Sequence, residues 1–192
     1  PKASFTASVV DGKIYAIGSF IEPIEAPDGI ETGPSPEVEM YDPETDTWTK
    51  VADMPTSRGF TSSSSINGKI YVVGGSEGAG FGVLTTVEEY DPRTDTWVKR
   101  ADLDHQDLDA PAGIMASSAA VVSGRLYMIG GSNFIGAPFP TVGTVLEYTL
   151  PSGEPARADS WNRKTDMPSR RAGLVSGAVN GKIYAIGGIH HA

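Results

Sequence analysis

Four segments of this 192-residue chain align without a gap: "DGKIYAIGS" (11–19), "NGKIYVVGG" (67–75), "SGRLYMIGG" (123–131) and "NGKIYAIGG" (180–188). Their first glycines, Gly12, Gly68, Gly124 and Gly181, stand 56, 56 and 57 positions apart. A period of this length marks a supersecondary unit that covers its apolar face with copies of itself, so the fold must be an array of like units.

Each unit reads as four strands, a to d. A run of small residues ("SFTASVV", "TSSSSI", "ASSAAVV", "LVSGAV") passes through an Asp-Gly, Asn-Gly or Ser-Gly pair into the "KIYAIG" segment, the pattern of a hairpin with a two-residue turn. A long variable stretch follows, then a third strand ("EVEMY", "TVEEY", "TVLEY"), a proline-containing turn and a fourth ("TWTKVA", "TWVKRA", "SWNRKT"). In "VEEYDPRTDTW" (87–97), Asp91 and Asp95 could be taken for an acid–base pair. The near-duplicate "VEMYDPETDTW" (38–48) argues for architecture instead, because a chain rarely carries one active site twice. The Asp-Pro step predicts a turn, with buried Tyr and Trp on the flanking strands. In the third unit Tyr148 and Trp161 lie 13 positions apart where the others use 7, an insertion that lengthens a loop but would wreck a catalytic pair.

The double glycines Gly74-Gly75, Gly130-Gly131 and Gly187-Gly188, the pairs Tyr41/Trp48, Tyr90/Trp97 and Tyr148/Trp161, and Met54-Pro55 and Met167-Pro168 resemble the Kelch repeat. Gly18-Ser19 departs from the double glycine. The resemblance runs over essentially the whole chain and implies an all-β fold, a β-propeller of four-stranded blades. Residues 1–56, 57–110 and 111–168 would be three blades, and 169–192 strands a and b of a fourth. Small residues suit strand a because blades converge at the axis, and glycine after strand b suits a place with no room for a Cβ. Kelch rings imply five to seven blades, so the expectation is a fragment of a larger ring. The alternative is self-association with a second copy through unclosed blade edges.

Composition bounds the function. A net charge of −9 works against a phosphate backbone, so nucleic acid is not an expected partner. No cysteine is present, which removes disulfides, thiolate metal sites and a cysteine nucleophile from this stretch. No run approaches the roughly 18 apolar residues of a membrane span, and the reading of compartment leans to export, periplasmic or cell surface. No nucleophile, base and orienting group recur at a workable spacing, so no catalytic residue, metal or cofactor is expected. The favoured reading is a binding or scaffold module that presents a loop-built, partly cationic face to a protein segment or glycan. The Kelch resemblance leaves one enzymatic alternative, a carbohydrate-active propeller similar to N-acetylneuraminate epimerase (mutarotase). The galactose oxidase type relies on a Tyr–Cys cross-link that this stretch lacks.

Antiparallel order puts the a–b and c–d turns on one face and the b–c and d–a connections on the other. The long irregular stretches 19–36, 76–85, 101–113 and 132–143 all fall on the second face, the candidate binding surface. Ten positions before each turn glycine, where strand a begins, stand Lys2, Arg58, Ile114 and Arg171. The resemblance implies that arginines there line the mouth of a central channel and meet acidic ligands. Arg58 and Arg171 match, Lys2 matches in charge, and Ile114 departs; the alternative is pairing with Asp53 or Asp166. On this reading Arg58 serves a ligand with little effect on stability. Phe81, Phe134 and Phe139, in the b–c stretches, are further candidate ligand contacts or seals between blades. Asp102, Asp104, Asp107 and Asp109 lack the glycine-centred spacing of a calcium loop, and His190 and His191, adjacent on extended chain, point to opposite sides.

Overall fold

A computed structural model describes residues 3–26, 29–78, 81–104, 106–108, 113–133, 140–151 and 158–190. The first sheet runs in chain order through β1 (Thr6–Val10), β2 (Lys13–Ala26), β3 (Gly29–Asp42) and β4 (Thr47–Val51). The second takes β5 (Ser62–Ile66) and β6 (Lys69–Val73), passes a small separate hairpin of β7 (Ser76–Gly78) and β8 (Phe81–Val83), and continues with β9 (Val87–Asp91) and β10 (Thr96–Lys99). The third comprises β11 (Ser118–Val122), β12 (Arg125–Ile129), β13 (Val145–Thr149) and β14 (Ser160–Arg163). β15 (Ala172–Val179) and β16 (Lys182–Ile189) pair as a two-stranded sheet. Among the described residues, no helix is long and apolar enough to cross a membrane.

The a–b turns are built as the sequence predicts. Asp11-Gly12 and Asn67-Gly68 both place two successive residues at positive φ, 48° and 76°, then 53° and 74°, the type I′ geometry that follows strand twist. That turn sets the registers Val10↔Lys13 and Ile66↔Lys69, and with them which residues face the neighbouring sheet.

The core lies between sheets. Ile17, Val38 and Met54 meet Ile70, Val72 and Tyr90 across the first junction. Tyr71, Val73 and Val87 meet Leu126, Leu146 and Tyr148 across the second, and Ala120 and Ile129 meet Leu174 across the third. Strand a is innermost in each unit, and its small side chains bring neighbouring strands within hydroxyl reach. Ser8 and Thr6 each lie 2.8 Å from Ser63, Ser62 lies 3.0 Å from Ser117, and Ser118 lies 2.8 Å from Ser176.

One expectation is corrected. Residues 19–36, read as irregular chain, continue the β2–β3 ladder to Ala26↔Gly29, with register shifts between Ile17 and Ser19 and between Ile21 and Ile24. Pro23 reads as a strand breaker, but it falls inside the second shift, where a bulge releases the residue from the ladder. The second face therefore carries a hairpin arm.

Candidate functional site

The second aspartate of the c–d turn ties its blade to the preceding one in the second and third units. Each c–d hairpin sets its Tyr opposite its Trp, with ring centroids 5.1, 5.0 and 4.9 Å apart in the three units. The first aspartate makes the expected turn: Asp91 Oδ1 accepts the Arg93 amide at 3.0 Å, as Asp42 accepts that of Glu44. The second reaches further. Asp95 Oδ1 accepts the Tyr90 hydroxyl at 2.7 Å and the Ala52 amide at 2.8 Å, while the Trp97 indole donates to the Ala52 carbonyl at 2.9 Å. Asp159 likewise accepts the Tyr148 hydroxyl and, at 2.7 Å, the Ala101 amide, with Trp161 donating to the Ala101 carbonyl at 3.0 Å. An aspartate two residues before each Trp was the available signal, and it survives the insertion of the third unit. In the first unit Asp46 accepts, among the described residues, only from Tyr41, and Trp48, expected to be buried, is 57% exposed.

Burial alone would push the Asp159 carboxyl up, but the Tyr148 hydroxyl and Ala101 amide outweigh it and hold it below the usual range. Its contribution is therefore full above the ordinary aspartate value and is lost as pH falls through the lowered one. Asp159→Ala is expected to destabilise by about 1 to 3 kcal/mol, because the buried Tyr148 hydroxyl and an amide lose their acceptor. Asp46→Ala, on an open face, should change stability by about 0.5 kcal/mol or less. Urea unfolding of the two variants checks the contrast.

Arg58 requires the second correction. Its side chain is 0% exposed and turned into its own sheet, so it does not line a channel mouth. One terminal nitrogen donates to the carbonyls of Gly74 at 3.0 Å and Thr86 at 2.8 Å, and the other to Glu88 at 2.8 Å. Thr56 also donates to Glu88, at 2.8 Å. Burial pushes the Arg58 guanidinium down from its ordinary value and Glu88 opposes that shift. The carboxylate partner is not Asp53, which pairs with Lys50 at 3.3 Å. Ile114, the aligned residue of the next unit, is fully buried with Leu146, which stands two before Tyr148 as Glu88 stands two before Tyr90. One interior site thus holds Arg–Glu in one blade and Ile–Leu in the next.

Arg171 is half-buried. It donates to the Gly187 carbonyl at 3.1 Å, the counterpart of Gly74, and to Ser169 at 2.8 Å, while Asp166 pairs with Arg163 at 2.9 Å. Lys2, Phe134 and Phe139 lie outside the described residues, as do Asp109 and His191. Phe81 is on β8, on the expected face, with its side chain outside the description. Asp102 pairs with Lys99 at 3.1 Å, and Asp104 accepts the Gln106 amide at 2.9 Å. Among the described residues no three His, Asp or Glu side chains gather to hold a metal.

A different set of residues forms a rim where the inner strands begin. Two positions after Arg58, Ile114 and Arg171 stand Phe60, Ala116 and Gly173, with Ser4 in register in the first unit. All four have positive φ, at 56° (Ser4), 54° (Phe60), 51° (Ala116) and 63° (Gly173). The Phe60 amide donates to the Ser4 carbonyl at 2.9 Å, Ala116 to Phe60 at 2.8 Å, and Gly173 to Ala116 at 2.7 Å. This main-chain cable joins all four units around the start of the inner strands. Beneath it the inner strands line a hydroxyl-rich cleft of ≈ 360 Å³ with Thr6, Ser62, Ser117 and Ser176 on its walls. No sequence signal marks a left-handed Phe, although Gly173 at the aligned position was a hint.

Radial four-stranded blades with serine-lined inner strands, glycine at each junction and a Tyr–Asp–Trp grip on the preceding blade define a Kelch-type β-propeller. The chain carries Kelch repeats: the Kelch motif matches residues 28–55 and 57–103. It is 28% identical over 190 residues to the Kelch-like protein terF of Aspergillus terreus, covering 98% of this chain and 39% of that protein. It is 29% identical over 171 residues to the Kelch repeat and BTB domain-containing protein 12 of Homo sapiens, covering 81% of this chain and 25% of the relative. The solved structure of YjhT superposes with a TM-score of 0.79 at 19% identity, over 98% of this chain and 59% of that one. The chain thus spans about two fifths or less of these two curated relatives.

Proposed function

We propose that this chain is a binding module whose loop face takes a protein segment. The observation that carries this is the hydrogen-bonded rim of Ser4, Phe60, Ala116 and Gly173, a rigid frame for the hairpin arm and the d–a connections on one face. Irregular, variable chain on a rigid scaffold is the usual seat of recognition. On the turn face opposite, the a–b turns repeat one two-residue geometry in every unit. The mutarotase-like reading leans on Arg58 and Arg171 as carboxylate ligands, and the burial of Arg58 removes half of that pair.

The test is a screen of the folded chain on a peptide array and a glycan array in parallel, repeated on a variant whose arm, residues 20–34, is replaced by Asn-Gly. Peptide hits that the shortened arm weakens are expected. Glycan hits alone, or sialic-acid mutarotation above the spontaneous rate by NMR, would replace this reading.

A further inference from the structure

We propose that the rim holds a subsite for one large apolar side chain of a partner protein, with a carboxylate beside it in the partner's sequence. This rests on the binding-module reading and names the partner's chemistry. A cavity of ≈ 250 Å³ opens where the second sheet, the third sheet and the β15–β16 pair meet, bounded by Phe60, Met115, Ala172 and Ile189. Its open lining is apolar, so water against it gains no hydrogen bond from the wall and an apolar side chain displaces it favourably. Phe60 is 39% exposed, so this wall of the cavity is reachable from solvent.

The backbone supplies an independent observation. A bulky residue at φ 54° is a genuine outlier, and the aligned Gly173 takes the same conformation without strain. The cable of backbone bonds fixes the conformation at this position whatever the side chain, so the fold alone does not call for phenylalanine. Strain retained at an exposed aromatic points to use at that spot. Phe20, with its ring centroid 5.5 Å away, steadies the Phe60 ring.

Charge fixes the second half of the ligand. Arg170 is exposed, and among the described residues no carboxylate pairs with it. Its carbonyl lies 2.9 Å from His190 Nδ1, next to Ile189, and Ala172 follows two residues on, so the main chain of Arg170 is pinned at the cavity's edge. Several other basic side chains of this acidic chain have carboxylate partners: Arg100 has Glu89, Arg163 has Asp166 and Lys50 has Asp53. An exposed arginine two residues before Ala172 of the cavity wall complements an apolar anchor flanked by Asp or Glu.

The experiment is selection of a phage-displayed random dodecapeptide library on the folded chain. Affinities of the enriched peptides are then compared on Phe60→Gly, Ile189→Ser and Arg170→Glu. Enriched peptides should share Phe, Leu or Met beside an acidic residue and bind each variant at least about ten-fold more weakly, with a cooperative melt retained. Ile189→Ser leaves the rim untouched, so it keeps the test valid should Phe60→Gly fold poorly. Peptides indifferent to all three variants but weakened by the shortened arm would overturn the subsite and leave the binding module standing. Enrichment of Lys- or Arg-rich peptides would overturn its charge half. No enrichment over the blank support would overturn the subsite, and a silent glycan array alongside it would overturn the module too.

Discussion

Glu88→Ala is expected to destabilise the chain by about 3 to 5 kcal/mol, because it strands a guanidinium that is 0% exposed. Arg58→Ala should cost a similar amount, since Glu88 would keep only the Thr56 hydroxyl among the described residues. The informative variant is the double one. Arg58→Ile with Glu88→Leu installs the pair that the third unit already carries as Ile114 and Leu146, both fully buried. Replacing a buried ion pair by apolar residues of similar bulk is often neutral or stabilising by about 1 to 4 kcal/mol. The double variant should therefore recover most of what either single change loses. Urea midpoints at constant slope would show this as a strong coupling in the double-mutant cycle. A loss under about 1 kcal/mol for Arg58→Ala would instead mean that the arginine swings out to solvent, and its role at the channel mouth would be open again.

Why this arginine was misplaced from sequence is instructive. Counting ten residues back from the turn glycine fixes a position along strand a but not the direction of its side chain. Between Arg58 and β5 lies a left-handed residue that turns the chain, and positive φ at Phe60 or Ala116 leaves no mark in the residue types. The a–b hairpins were legible because Asp-Gly and Asn-Gly carry their φ signs in their composition. The role of Asp95 was half-legible. Local chemistry accounts for a turn, but the amide it accepts belongs to Ala52, 43 residues away, and only the fixed Asp-to-Trp spacing in all three units hints at a shared distant task. The β2–β3 arm is not legible locally, because Pro23 obeys the breaker rule while the ladder steps around it.

Gly74→Ala is expected to cost about 2 to 5 kcal/mol, against about 1 to 2 for Gly124→Ala. Both glycines sit at positive φ, 62° and 70°, so the strain of an L side chain is common to the two. Space separates them. A Cβ at Gly74 would lie 2.3 Å from the Ile114 carbonyl oxygen, whereas nothing stands within 4 Å of one at Gly124. The oxygen cannot easily retreat, because it accepts the Gly75 amide at 2.8 Å while the Ile114 amide is held by Leu84 at 3.1 Å. The same approach recurs at Gly18 against Arg58 and at Gly130 against Arg171, at 2.5 and 2.7 Å, so it is how each blade seats the next. Ile114 also leads into Ala116, whose amide is a link in the rim, so Gly74→Ala should speed hydrogen exchange at Ala116 more than at Ala52. Equal losses at positions 74 and 124, with exchange at Ala116 unchanged, would mean that glycine is there for its dihedral freedom alone and that the junction yields without disturbing the binding face.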